Sequence, residues 1–331
     1  MSFWASYYEI AGRTLCVEPR DEASAKIFAR FIAGYHFAPV AFDERRREPD
    51  QTIRISSEGP MPDVPGRMQI CNEDNVSCCT DGESYYLQLH DSLIIVRAQT
   101  SKSVELWIGD APQALTSLYL CNVLANAVQI ALRRCGVYKL HAAGVVKPAS
   151  DEGALIIGDT GCGKSTLTIE LASHGWRYLS DDALTLCENS DLVEAHGHRR
   201  FFALLASGDE KRLPGWAEAL GAPFAANADK RWVDPTVLFP NRFAASGIPR
   251  ALFFPSIMDR MKTTVVKLSQ CEAMSLLIRQ CPLINFDRPL ARQQLRLFAQ
   301  LVNQSVSYKL MAGRDLLAQR GRAAALFASY M

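Results

Sequence analysis

Residues 153–187 read GALIIGDTGCGKSTLTIELASHGWRYLSDDALTLC. An apolar run, a glycine-rich turn, a helical pattern and a second apolar run ending in two acids follow one another. Ala154 to Ile157 predict a buried strand, and Leu167, Ile169, Leu171 and Ala172 place an apolar pattern on a helix that Gly175 ends. Residues 176–180 and 183–187 predict further strands. Strand, loop, helix, strand is the unit of an α/β fold.

The turn carries the most specific signal. Gly158, Asp159, Thr160, Gly161, Cys162, Gly163, Lys164 and Ser165 satisfy G-x-x-x-x-G-K-[ST] at every required position, and Thr166 follows in the helix. The glycines let successive N–H groups converge on one anion-sized hollow, and the helix adds the positive end of its dipole. Lys164 supplies a point charge for the outer phosphates, and the Ser165 hydroxyl suits Mg²⁺. The motif thus implies ATP or another nucleoside triphosphate, with Mg²⁺. Cys162 stands inside the loop, so alkylation of its thiol is expected to block nucleotide binding unless ATP protects it.

Asp181 and Asp182 close the strand after that helix. Carboxyl ends of parallel strands are where α/β sheets place ligands, so the pair is expected to face the phosphates. One carboxylate can hold Mg²⁺ while its neighbour takes a proton from an acceptor hydroxyl. Taken alone, the two acids also fit a plain turn. His141, on the strand before the loop, is by itself an ordinary strand histidine.

Farther out, YKLHAAGVV (138–146), RALFFPSI (250–257) and VSYKLM (306–311) predict strands, and residues 288–303 an amphipathic helix. Residues 316–330 read as helical. Arg199, Arg200, Lys230 and Arg231 are cations that could reach a phosphate from a mobile loop, though each also fits a solvated surface. His196 and His198 lack a Cys or acidic partner at ligand spacing. The stretch 205–234 is long for a connection and predicts a lid or a disordered insert.

The first 110 residues carry no chemical motif. A helix over Ala23–Ala33 and strand patterns at 84–97 and 103–108 make them a smaller, β-rich α+β domain. Asp110 as N-cap and Pro112 in the first turn then open a long apolar helix that Gly136 ends. Domains are accordingly expected at 1–110, with a role in acceptor recognition, and 111–331.

Bulk composition bounds the rest. The chain has 331 residues, 36 Lys+Arg against 35 Asp+Glu, and 48% hydrophobic residues. That describes a globular protein with a sizeable core, and the near-neutral balance argues against nucleic acid as a partner. The ten cysteines include no C-x-x-C pair, no signal peptide opens the chain, and no apolar run approaches the ~20 residues of a membrane span. A cytoplasmic protein without membrane insertion is expected.

His141-Ala142-Ala143-Gly144, the 153–165 segment and HGWRYLSDD (174–182) together resemble the catalytic domain of HPr kinase/phosphorylase. The resemblance is close over 138–187, looser to about 312, and nearer to HPr-kinase-like proteins of biosynthetic clusters, such as lasso-peptide kinases. It implies an HPr-kinase-like nucleotide-binding fold, related to phosphoenolpyruvate carboxykinases, and phosphoryl transfer to a serine hydroxyl. It also implies Asp181 as general base, Asp182 with Ser165 as Mg²⁺ ligands, and His141 as a further polar member. The family's Gly-rich segment after the acid pair is missing; HGHRRFFALLASGDEKR (196–212) stands there. HPr as substrate and the reverse, phosphorolytic reaction are therefore not expected. The family forms oligomers, which raises a homo-oligomer here.

The sequence thus predicts an ATP- and Mg²⁺-dependent kinase of a hydroxyl on a peptide or protein. The alternatives are a kinase of a small hydroxylated metabolite, or a nucleotide-binding regulator without transfer activity.

Overall fold

The computed structural model describes residues 5–40, 48–64, 68–73, 76–81, 83–89, 92–97, 102–108, 117–205, 214–223, 230–281 and 287–331. The chain divides into two compact units, one of Met1–Tyr138 with Leu283–Ala291, the other of Lys139–Pro282 with Arg292–Met331. It is a mixed α/β protein with several sheets. No helix among the described residues is long and apolar enough to cross a membrane.

The first unit contains β1 (Ser6–Ile10), β2 (Arg13–Pro19), α1 (Glu22–Ile32), β3 (Ala38–Val40), β4 (Gln51–Ser56), β5 (Met68–Glu73), β6 (Val76–Thr80), β7 (Ser84–Leu89), β8 (Ser92–Arg97), β9 (Ser103–Ile108) and α2 (Ser117–Arg133). Its strands form one sheet in the order β3-β1-β2-β4-β9-β8-β7-β6-β5. The α1 helix starts where the Asp21 carboxylate accepts the Ser24 N–H at 2.7 Å, a capping arrangement worth about 1 kcal/mol. It buries Phe28 and Phe31.

The long apolar helix expected to open the second domain is α2. It packs on β2, β4 and β9, and buries Val123, Leu124, Ala127, Val128 and Ala131. The first unit therefore extends beyond residue 110, because an apolar helix face joins whichever sheet buries it. The expected cap at Asp110 and Pro112 lies outside the described residues.

The remaining elements are β10 (Tyr138–Leu140), β11 (Ala142–Val146), β12 (Glu152–Ile157), α3 (Lys164–Ser173), β13 (Arg177–Ser180), β14 (Leu184–Asn189), β15 (Leu192–Gly197), β16 (Phe202–Leu205), α4 (Trp216–Ala219), β17 (Leu220–Pro223), β18 (Lys230–Val233), α5 (Pro235–Leu238), β19 (Ser246–Ile257), β20 (Thr264–Lys267), α6 (Gln270–Arg279), α7 (Arg288–Gln304), β21 (Val306–Ala312), α8 (Asp315–Ala318) and α9 (Arg322–Ser329). The large sheet runs β10-β14-β15-β19-β12-β11-β13, with β21 beside β19 and β20 beside β21.

Strand direction decides what meets at one edge of this sheet. β11 is antiparallel to both β12 and β13, so those two run the same way. β19 is parallel to β12, and β21 is parallel to β19. The loop after β12, the acids after β13, His141 before β11 and the ends of β19 and β21 therefore share one edge. That is the end at which open α/β sheets hold ligands.

The α3 helix is anchored on two sides. Leu167 and Leu171 join Ala143, Val145, Ile156, Phe253 and Phe327 in one cluster, while Ile169 and Ala172 join Tyr178, Phe202, Val233 and Phe239 in another. Each buried Leu, Ile, Val or Phe among them contributes roughly 1.5–3 kcal/mol. The loop thus enters a helix fixed on both flanks.

Two expectations are corrected. The 205–234 stretch is not a structureless connection: its described residues carry α4, β17 and β18, and β16-β18-β17 form a small sheet. The C-terminal helical stretch is broken into α8 and α9, since Gly321 sits at φ +78° between them.

Candidate active site around the Gly158–Ser165 loop

The loop leaves the buried end of β12 and turns directly into α3. Gly161 and Gly163 adopt φ +87° and +96°, a left-handed conformation that side chains strain to reach. Gly163 is the N-cap of α3 and supplies no side-chain acceptor, so an anion can take that place. Asp159, Thr160 and Gly161 are exposed, and Ser165 and Thr166 are half-buried.

Lys164 is 5% exposed. Its Nζ donates to the Gly158 carbonyl at 2.6 Å and to the Asp159 carbonyl at 3.2 Å, which folds the ammonium back over the loop. Gln280 Nε2 donates to Asp159 Oδ1 at 2.8 Å, and Arg279 lies 3.8 Å from Oδ2. That hydrogen bond, helped by the Arg279 charge, holds the Asp159 carboxyl below its ordinary range. Burial pushes the Cys162 thiol up, against the pull of the nearby Lys164 charge.

The two acids stand in different surroundings. Asp181 is 1% exposed; its Oδ2 accepts the Ser165 hydroxyl at 3.1 Å and the Ala203 N–H at 3.2 Å. Its Oδ1 is buried with no hydrogen-bond partner. Burial raises this carboxyl, and the negative charge of Asp182 adds to the rise.

The Asp182 side chain is 43% exposed. Its Oδ1 lies 2.8 Å from His141 Nε2, and its Oδ2 accepts from Arg199 at 3.1 Å. Partial burial opposes its ionisation, but the His141 hydrogen bond and the Arg199 charge outweigh that and hold the carboxyl far below the ordinary range. An ionised carboxylate only accepts, so Nε2–H is the donor in this pair, and whenever the ring is neutral Nδ1 is left as an acceptor.

Of the four cations expected near the phosphates, Arg199 reaches the acids. Its guanidinium also stacks over Trp232, 4.7 Å from the ring centroid. Arg200 lies over Phe201 at 5.8 Å. Arg231 is half-buried on β18, opposite Leu204, and Lys230 lies on the same strand opposite Leu205.

Ser165 and Asp182 were expected to share Mg²⁺; in the structure the Ser165 hydroxyl donates to Asp181, and Asp182 pairs with His141. The register of β14 with β15 brings Cys187 within 3.4 Å of His196, and Glu194, two residues earlier on the same strand, lies 3.5 Å from it. No group among the described residues has the arrangement to hold a metal through His, Cys, Asp and Glu alone. Sequence reading also missed Gln280 and Arg279, which no motif announces, and Lys139. Burial and the nearby Arg199 charge push the Lys139 ammonium down, against the pull of Asp182.

No family model matches this sequence, and no curated protein matches it. Among solved structures it is similar to the HPr(Ser) kinase/phosphatase from Coxiella burnetii. The identity is 12%, the match covers 58% of this chain and 97% of that one, and the TM-score is 0.31.

Proposed function

We propose that the protein is a Mg²⁺- and nucleotide-dependent phosphotransferase acting on a hydroxyl of a peptide or protein acceptor. One observation carries the proposal. A loop with full phosphate-binding spacing opens a firmly packed helix beside Asp181, and Asp182 with His141 lies at the same sheet edge.

The loop amides and Lys164 bind the phosphates. Lys164, freed from the Gly158 and Asp159 carbonyls by a phosphate that takes their place, stabilises charge on the transferred group. The residues fit Mg²⁺. A buried carboxylate oxygen of Asp181 without a partner, next to the Ser165 hydroxyl, is the hard oxygen donor set this ion takes. Ser165 and Asp181 would hold it. When bound, Mg²⁺ neutralises phosphate charge and favours ionised Asp181.

Asp182 orients His141, and His141 Nδ1 accepts the proton of the acceptor hydroxyl. Arg199 is placed to share the charge of the incoming group. This exchanges the roles expected from sequence for the two acids, because Asp181 is too deeply buried to meet an acceptor.

The acceptor is read as a peptide or protein from the sequence resemblance, and the first unit is the candidate for its recognition. Mass spectrometry after incubation with Mg-ATP and pools of peptides, proteins and hydroxylated metabolites tests the proposal. The expected result is a gain of one phosphoryl group that Lys164→Ala lacks. Product formed equally by Lys164→Ala would overturn it.

A further inference from the structure

The β19 strand ends beside the loop in a turn with unusual exposure. Ile257 is 68% exposed, Met258 38% and Met261 67%. Ile257 Cδ1 lies 4.0 Å from where a Cβ on Gly163 would stand, and the Pro255 carbonyl oxygen 3.8 Å from the same point on Gly158. Ile257 and Met258 are neighbours in the chain and Met261 follows in the same turn, so three exposed apolar side chains stand on one short segment beside the loop.

The turn is fixed rather than loose. Thr263 donates its N–H and its hydroxyl to Asp315 Oδ1 at 2.8 and 2.6 Å, and Gly313 N donates to Thr263 Oγ1 at 3.0 Å. Met258 N donates to the Ala312 carbonyl at 2.9 Å, and Asp315 N to the Met261 carbonyl at 3.0 Å. A Cβ at Gly313 would come within 2.6 Å of the Lys262 carbonyl carbon, so the two segments touch. The apolar surface is therefore held ready before anything binds.

Its place in the sheet says what covers it. β12, which feeds the loop, has β11 and then β13 on one side, and β19 with β21 on the other. His141, Asp181 and Asp182 belong to the first side; Ile257 and its neighbours belong to the second. In phosphoryl transfer the attacking and leaving oxygens lie roughly in line through phosphorus. An acceptor entering from the His141–Asp182 side leaves the nucleoside on the opposite side, over the end of β19.

We propose that Ile257, with Met258 and Met261, seats the nucleobase and ribose of the bound nucleotide. The assignment rests on the nucleotide reading of the loop. The flat face of a base packs on these aliphatic chains, while its phosphates occupy the loop beside Gly163.

Isothermal titration of the full chain with MgADP and with Mg-tripolyphosphate separates the two subsites. In Ile257→Ser the ADP affinity is expected to fall about tenfold, with tripolyphosphate affinity held within about twofold of wild type. Unchanged ADP binding overturns the seat, and is also the result if this surface serves an acceptor side chain instead. Equal weakening of both ligands overturns it too, since the effect would then belong to the loop. A wild-type chain that binds tripolyphosphate as tightly as ADP overturns the seat alone. One that binds neither overturns the nucleotide reading as well.

Discussion

The Ser165 hydroxyl donates to Asp181 at 3.1 Å, so the serine that ends the phosphate loop is tied to the buried acid of the pair and not to its exposed neighbour. Asp182 points instead at His141, 2.8 Å away. Two adjacent residues of one type thereby face different partners.

Separate losses are expected from the two positions. Asp182→Asn keeps MgADP binding while transfer falls on the order of a hundredfold or more, because His141 loses its orienting carboxylate. Asp181→Asn weakens Mg²⁺-dependent nucleotide binding. Titration calorimetry and a transfer assay on both variants check this, and the opposite pattern restores the roles expected from sequence.

The same pair predicts opposite effects of pH on stability. Folding raises the Asp181 pKa, so keeping it ionised destabilises the metal-free fold above that raised value. Asp181→Asn is expected to raise the melting temperature near pH 7 by roughly 2–4 °C, the effect of about 1 kcal/mol in a domain of this size. The gain disappears below the unfolded carboxylate pKa, where wild type is protonated in both states. Folding lowers the Asp182 pKa, so its contribution is present above the unfolded value and lost as pH falls through the folded one. Asp182→Asn therefore lowers the melting temperature at pH 7, and the loss narrows in acid. Thermal melts of both variants from about pH 3 to about pH 8 test the signs.

Arg199 links the acids to the small sheet. It donates to Asp182 at 3.1 Å and stacks on Trp232. Arg199→Ala is expected to slow transfer on the order of a hundredfold. Arg199→Lys restores little, because an ammonium cannot both stack flat and reach the carboxylate through a planar fork. A steady-state assay with near-normal rates in the lysine variant would remove the stacking from the account.

Leu171 is fully buried between α3 and the sheet. Leu171→Ala is expected to cost about 2–5 kcal/mol, read by urea denaturation. Because α3 carries Lys164 and Ser165, nucleotide affinity is expected to fall with it.

Sequence reading reached what local chemistry encodes. The glycine spacing, the apolar run of β12, the α3 pattern and the acids after β13 all lie within residues 153–187, where turn, helix and strand rules act over short distances. The partners of those residues lie farther along the chain. Gln280 meets Asp159 across 121 positions, and which acid faces Ser165 depends on how β13 leaves the sheet. The first unit's extent was missed for a similar reason: α2 is apolar enough to suit either sheet, and only packing decides between them. The small sheet of β16, β17 and β18 escaped because each strand is only four residues long, β17 carries Gly221 and Pro223, and β18 opens on Lys230 and Arg231.

The most direct test of the central claim needs no knowledge of the acceptor. Equilibrium binding of Mg-ATP is measured for wild type and for Lys164→Ala, each with and without EDTA. The account predicts saturable, single-site binding by wild type that EDTA weakens and Lys164→Ala largely loses. No binding by wild type, or equal binding by both proteins, would contradict it.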